Sequence, residues 1–254
     1  MSDRLPIEQQ LPELLDAVQK AHGVVLRAPT GAGKTTRVPL ALQERIPNKA
    51  GKILLLQPRR LAARAAAQRM AEQTATKLGQ MIGYHVRFDK KYTASSQIVV
   101  MTDGLFLQHL LHDPFLEGVA AIIFDEFHER SINSDLALAL TRQLQQELRQ
   151  DLWLVVMSAT LDCQPISEYL GGCPIIITEG RTYPVSIEYL PYASSQTVPE
   201  RCASGVDQAL ATSSKDILAF LPGAGEIMAT KRLLDRRHAN RDLLVLPLYG
   251  ALSL

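Results

Sequence analysis

A glycine-rich segment, Ala28-Pro29-Thr30-Gly31-Ala32-Gly33-Lys34-Thr35, lies between the apolar run Val24-Val25-Leu26 and a helix-like stretch beginning at Lys34. Few folds accommodate that order. The run reads as a buried strand, and the glycines let the chain turn tightly, with backbone N–H groups pointing inward around a polyphosphate. Lys34 is then placed for the β- and γ-phosphates and the Thr35 hydroxyl for Mg²⁺, at a helix N-terminus that favours anions. Ala28 stands where the strict pattern has glycine; a small residue at a strand exit serves there.

A second segment supplies the carboxylates. Asp125-Glu126-Phe127-His128 begins 91 positions after Lys34 and follows Val119-Ala120-Ala121-Ile122-Ile123-Phe124, which reads as a strand buried on both faces. Asp125 is expected to hold the Mg²⁺, and Glu126 to orient the attacking water. The pair points to ATP or a related nucleotide. A tight strand–helix turn beside an unrelated acidic helix start does not explain why Lys34 follows Gly33 directly.

Composition narrows the class. Apolar residues make up 46% and charged residues 21%, the profile of a globular chain rather than a disordered one. The 27 basic and 26 acidic residues leave a net charge of +1, so any nucleic-acid contact must come from placed groups and not from bulk attraction. Cys163, Cys173 and Cys202 have no C-x-x-C spacing, which argues against a disulfide framework or zinc site and fits a reducing cytoplasm. Met1 to Gln10 carries charges and Pro6 rather than an apolar leader core. No stretch approaches the roughly 18 apolar residues of a membrane span. A cytoplasmic protein without a membrane segment is expected.

Strand-like runs alternate with helix-length segments, the pattern of an α/β parallel sheet covered by helices. The expected strands are Val24–Arg27, Lys52–Gln57, Gln97–Thr102, Ala120–Asp125, Leu152–Met157 and Pro174–Thr178. The expected helices are Lys34–Arg45, Leu61–Leu78, Gly104–His112 and Asp135–Gln150, with an opening amphipathic helix from Ile7 to Lys20 outside the sheet. After Glu179-Gly180-Arg181-Thr182-Tyr183-Pro184 the rhythm restarts, with strands at Val185–Leu190, Asp216–Leu221 and Leu243–Leu248 and helices at Arg201–Ala211 and Glu226–Arg237. A first lobe over residues 1–183 and the start of a second, incomplete α/β lobe over 184–254 are expected.

Three further segments sit at strand ends, where open α/β sheets place ligands. Gln57-Pro58-Arg59-Arg60 offers arginines to phosphates, or is a solvated turn. Met101-Thr102-Asp103-Gly104 offers a hydroxyl and a backbone N–H to a sugar-phosphate chain, or Asp103 caps the next helix. Ser158-Ala159-Thr160 alone is a small-residue turn.

Taken in order, these segments resemble the DEAH-box branch of superfamily 2 helicases: Gly-Lys-Thr-Thr, Pro-Arg-Arg, Thr-Asp-Gly, Asp-Glu-x-His-Glu-Arg, Ser-Ala-Thr. Gly83-Tyr84-His85-Val86-Arg87-Phe88 and Gly180-Arg181-Thr182-Tyr183-Pro184-Val185 also resemble that branch. Phe127 replaces the alanine of Asp-Glu-Ala-His. With Phe220-Leu221-Pro222-Gly223 and Pro247-Leu248-Tyr249-Gly250, it is similar to the bacterial HrpB-type helicases. The resemblance runs from about Val24 to Leu254.

It implies an ATP-dependent RNA helicase with two RecA-like lobes. Thr30, Gly31, Ala32, Gly33, Lys34, Thr35 and Thr36 would hold the triphosphate, with Thr35 and Asp125 on Mg²⁺ and Arg69 against the adenine. Lys34, Asp125, Glu126 and His128 would form the catalytic set, and His128 would connect to Ser158 and Thr160. Arg59, Arg60, Thr102 and Gly104 would touch single-stranded RNA, or DNA, through its backbone. The branch also has a Gln-Arg-x-Gly-Arg-x-Gly-Arg segment supplying arginine fingers, and residues 1–254 contain none. A chain truncated within its second lobe, slow in turnover, is therefore expected. A non-catalytic nucleotide- and RNA-binding lobe is the alternative. Pro-Arg-Arg and Thr-Asp-Gly at strand ends argue against an ATPase acting on proteins or small molecules.

Overall fold

A computed structural model describes residues 5–46, 51–160, 162–179, 185–189, 195–239, 243–250 and 252. Eight strands build one sheet: β1 (Gly23–Arg27), β2 (Lys52–Gln57), β3 (Ile82–Val86), β4 (Asp89–Lys91), β5 (Ile98–Thr102), β6 (Val119–Phe124), β7 (Trp153–Ser158) and β8 (Ile175–Ile177). Their order is β4-β3-β5-β2-β6-β7-β1-β8, parallel throughout except for the β3–β4 pair. The apolar runs form strands because both faces of the sheet are covered. Val24, Leu26, Ile53, Leu55, Ile123 and Val155 face one core, while Val25, Leu54, Leu56, Ile122, Phe124 and Val156 face the other.

The first core is closed by α1 (Leu11–Ala21), α2 (Lys34–Arg45) and α3 (Arg60–Gln73). The second is closed by α4 (Asp103–His112), α5 (Ile132–Glu147) and α6 (Gln164–Tyr169). The interior of α3 is built from Ala63, Ala66 and Ala67, whose small side chains let the helix lie close to the sheet.

Several expectations change in detail. The opening helix is split into a 3₁₀ turn at Pro6–Gln9 and α1, because Pro12 has no N–H for a helical bond and its ring would clash with the carbonyl of Glu8. The turn braces the glycine-rich loop: Ile7 is fully buried and donates its N–H to the Ala32 carbonyl at 3.2 Å. The helix expected to run to Leu78 stops at Gln73. Thr74 turns its hydroxyl back onto the Met70 and Ala71 carbonyls, and Ala75 takes a left-handed φ of 51°. β3, β4 and α6 lie outside the expected elements. β3 and β4 form one edge of the sheet, where the alternation of buried and exposed positions is short.

Contacts divide the chain into one unit of Met1–Thr182 and another of Tyr183–Leu254. The Gly180–Pro184 connection and Leu190 lie outside the described residues. In the second unit α7 (Val198–Thr212) and α8 (Ala224–Arg237) form and bury Ala203, Val206 and Leu234 together. The described residues of the three expected strands there, 185–189, 216–221 and 243–248, are not strands. An isolated strand leaves its ladder donors and acceptors unpaired, and a strand becomes stable only beside neighbours. Ile187, Phe220, Leu244 and Leu246 are consequently exposed.

Candidate active site

The carboxyl ends of β1, β2, β5, β6 and β7 bring the motif-bearing segments to one edge of the sheet. Between β1 and α2 the loop turns through Gly31 at φ 81° and Gly33 at φ 92°, both in the left-handed region open to glycine. Gly33 has a second reason to be glycine: a Cβ there would stand 2.7 Å from Leu5 Cδ1. Gly33 also caps α2, so Lys34, Thr35 and Thr36 occupy its first turn, at the positive end of the helix dipole.

These residues meet the acidic segment. Lys34 is buried and its Nζ lies 3.0 Å from Glu126 Oε1. The Thr35 hydroxyl donates to Asp125 Oδ2 at 2.5 Å. Asp125 is buried at the end of β6, and its Oδ1 accepts the Glu126 N–H at 2.8 Å. Burial pushes its carboxyl up to about 6, aided by the Glu126 charge; the Thr35 hydrogen bond and the Lys34 charge oppose this. Glu126 itself takes a left-handed φ of 50°, a conformation costly for a non-glycine residue that aims it back toward the loop. Phe127 anchors the turn by packing edge-on against Phe124, with ring centroids 6.2 Å apart.

His128 Nδ1 accepts the backbone N–H of Ala159 at 3.4 Å, joining the acidic segment to Ser158-Ala159-Thr160. The same nitrogen lies 3.4 Å from Glu126 Oε2. Ser158 is buried at the end of β7 and Thr160 is exposed beyond it.

A cleft of about 520 Å³ opens beside this cluster. Thr30, Thr35, Thr36, Glu126 and His128 line it, and Ala62, Ala65 and Ala66 of α3 form a wall of it. Arg69 stands exposed on the same wall, within 3.9 Å of Glu72. Arg59, assigned by resemblance to nucleic acid, lines this cleft too, and its guanidinium pairs with Glu129 at 3.1 Å. Arg60 is exposed in the first turn of α3. Thr102 caps α4, with Gly104 in that helix's first turn. Asp103 is therefore not the cap. Its carboxylate is buried, accepts the Ser131 hydroxyl at 3.4 Å, and is pushed up to about 6, chiefly by burial.

Two residues of the cluster carry no expectation from sequence. Gln57 Nε2 donates to Asp125 Oδ2 at 2.6 Å from the end of β2, and Glu129 holds Arg59. Their signal in the sequence is only position, beside Pro-Arg-Arg and after Asp-Glu-Phe-His.

The oxygen donors suit a hard cation. Thr35 and Asp125 provide one hydroxyl and one carboxylate. Among the described residues no group of three or more His, Cys, Asp or Glu side chains forms a cage. That set fits Mg²⁺, which retains water and takes much of its coordination from substrate phosphates.

The pattern of DEAD/DEAH box helicases matches residues 8–169, which include both arms of this cluster. The chain belongs to that family. It is 46% identical to the ATP-dependent RNA helicase HrpB of Escherichia coli over 98% of its length, covering 31% of that protein. It is 37% identical to the HrpA homolog of Haemophilus influenzae, covering 99% of this chain and 19% of that one. Human DHX33 is 35% identical, with 98% and 36% covered. The crystal structure of E. coli DEAH/RHA helicase HrpB superposes with a TM-score of 0.90 at 46% identity, over 98% of this chain and 32% of that one. The α/β sheet is thus the RecA-like helicase fold, and the chain spans about a third of the length of HrpB.

No helix among the described residues is long and apolar enough to cross a membrane.

Proposed function

We propose that this chain carries the nucleotide-hydrolysing site of an ATP-dependent RNA helicase acting in the cytoplasm. Residues 1–183 are its ATP-binding RecA-like lobe, and residues 184–254 are the beginning of a second. The observation that supports this best is the meeting of Lys34, Thr35, Asp125 and Glu126, from segments 91 positions apart, at one mouth of a parallel sheet.

In this reading the backbone N–H groups of residues 30–36 and the Lys34 ammonium bind the β- and γ-phosphates. Mg²⁺ held by Thr35 and Asp125 would neutralise phosphate charge during transfer. Lys34, drawn to the phosphates, releases Glu126, whose carboxylate then orients the attacking water and accepts its proton. Arg69 covers the base. Arg59, Arg60, Thr102 and Gly104 contact the backbone of single-stranded RNA, or DNA, and His128 transmits the nucleotide's state through Ser158-Ala159-Thr160.

The alternative is a lobe that binds nucleotide and RNA without useful turnover. ATPase assays with and without single-stranded RNA decide between the readings: hydrolysis raised by RNA supports the first, and bound nucleotide without turnover supports the second. Lys34→Ala should abolish Mg²⁺-nucleotide binding in a calorimetric titration, and an unchanged affinity would remove the site from this loop. In a chain with measurable turnover, Glu126→Gln should bind nucleotide and not hydrolyse it.

A further inference from the structure

We infer that Gln57 is a positioning residue for the divalent cation, holding the Asp125 carboxylate in the orientation in which it meets Mg²⁺. This rests on the nucleotide site proposed above. Gln57 ends β2, Asp125 follows β6, and the two strands are neighbours in the sheet with Leu56 opposite Phe124. That register brings the two side chains, 68 positions apart in sequence, to a hydrogen bond of 2.6 Å. Gln57 is buried, with a relative exposure of 2%. Its amide must present N–H to Asp125, because its carbonyl oxygen there would face a carboxylate lone pair.

The bond completes the restraint of the carboxylate. Oδ1 is held by the Glu126 N–H, and Oδ2 by the Thr35 hydroxyl and the Gln57 amide. Thr35 is itself a proposed cation ligand: its oxygen can meet the metal through a lone pair while its O–H still donates to Asp125. Gln57 and the Glu126 N–H are the two donors to Asp125 that do not themselves meet the cation. The residue type also matters. A lysine or arginine at this place would bond Asp125 more strongly but would compete with the cation for its charge. A neutral amide orients the carboxylate and leaves the charge for Mg²⁺. Partners of this kind behind a metal ligand change metal affinity by 10- to 100-fold when removed, by about the same factor in many sites.

The test is a fluorescence titration of the 254-residue chain with mant-ADP across a range of Mg²⁺ concentrations, repeated with Gln57→Leu and Gln57→Met. Both variants keep the volume and remove the donor. The Mg²⁺ concentration for half-maximal enhancement of binding should rise roughly 10- to 100-fold, while mant-ADP affinity in EDTA changes by less than about twofold. A role in packing alone would weaken binding equally with and without Mg²⁺. An unchanged Mg²⁺ requirement in both variants, or loss of the folded far-ultraviolet circular dichroism spectrum in both, overturns the inference. Failure of the parent chain to bind mant-ADP with Mg²⁺ would overturn the nucleotide site itself, and this inference with it.

Discussion

Asp125 and Asp103 are two buried carboxyls at the ends of β6 and β5, the strands on either side of β2, each with its pKa pushed up to about 6. A carboxyl with a raised folded pKa stabilises the fold fully below its ordinary value of 3.8. That contribution is lost as pH rises through about 6. At pH 7.5 each ionised group then costs up to about 3 kcal/mol relative to its protonated form. Asp103→Asn should therefore gain stability over the parent as pH rises from 4 to 7, and show little difference at pH 4. Urea unfolding of both proteins across that range checks this; a pH-independent difference would mean that Asp103 ionises as freely folded as unfolded. Asp125 carries the same cost, which Mg²⁺ would offset in the proposed site. A functional carboxylate stored at some cost in stability is expected at such a site.

The element that most depends on one residue is the turn from β1 into α2. Gly33 combines a left-handed backbone with a close approach to Leu5. Gly33→Ala should lower stability by about 1–2 kcal/mol from the backbone alone, with a further steric part. Leu5→Ala in the same chain should relieve the steric part and leave the backbone part, as a double-mutant cycle of thermal unfolding would show. Full additivity would mean that the two residues do not press on one another. At the start of α5, Ser131 accepts the Ser134 N–H at 3.0 Å while Ser134 bonds back to the Ser131 N–H at 3.2 Å. Ser131→Ala should cost about 1 kcal/mol through this cap. It also removes the donor to Asp103, so its cost should exceed that of Ser134→Ala.

At the scale of the molecule the two units are unequally built. All eight strands and both large cores lie within residues 5–179. The second unit has the small α7–α8 core and exposes Ile187, Phe220, Leu244 and Leu246. A chain ended at Glu179 should keep the main thermal transition of the 254-residue chain to within a few degrees and bind less of a hydrophobic dye, because exposed apolar area falls. A large drop in the transition would show that the first unit leans on the second for its stability.

Legibility followed the range of the forces involved. Six of the eight strands were readable; five of them are central strands of a parallel sheet, buried on both faces, which leaves runs such as Val119–Phe124 almost without polar residues. β4 is Asp89-Lys90-Lys91, and nothing in three polar residues announces a strand; it exists because β3 offers an antiparallel edge. The strands expected after Val185 carry the right local pattern without neighbours to pair with, and the pattern alone does not make them strands. In the site, Gly31, Gly33, Lys34, Thr35, Asp125 and Glu126 were legible since each belongs to a short segment whose chemistry is local.

The sequence by itself determined the residue types at each strand end: a glycine-rich loop, a carboxylate pair, arginines, a small-residue turn. Turn geometry, helix-start electrostatics and burial of apolar runs act within a few residues and leave a readable pattern. Only the tertiary structure decided which of these ends meet. The order β2-β6-β7-β1 puts Gln57 and Thr35 against Asp125, turns Arg59 toward Glu129, and sets His128 beside Ala159. Strand order is fixed by how the crossovers pack two cores at once, a balance over the whole sheet that no single segment carries.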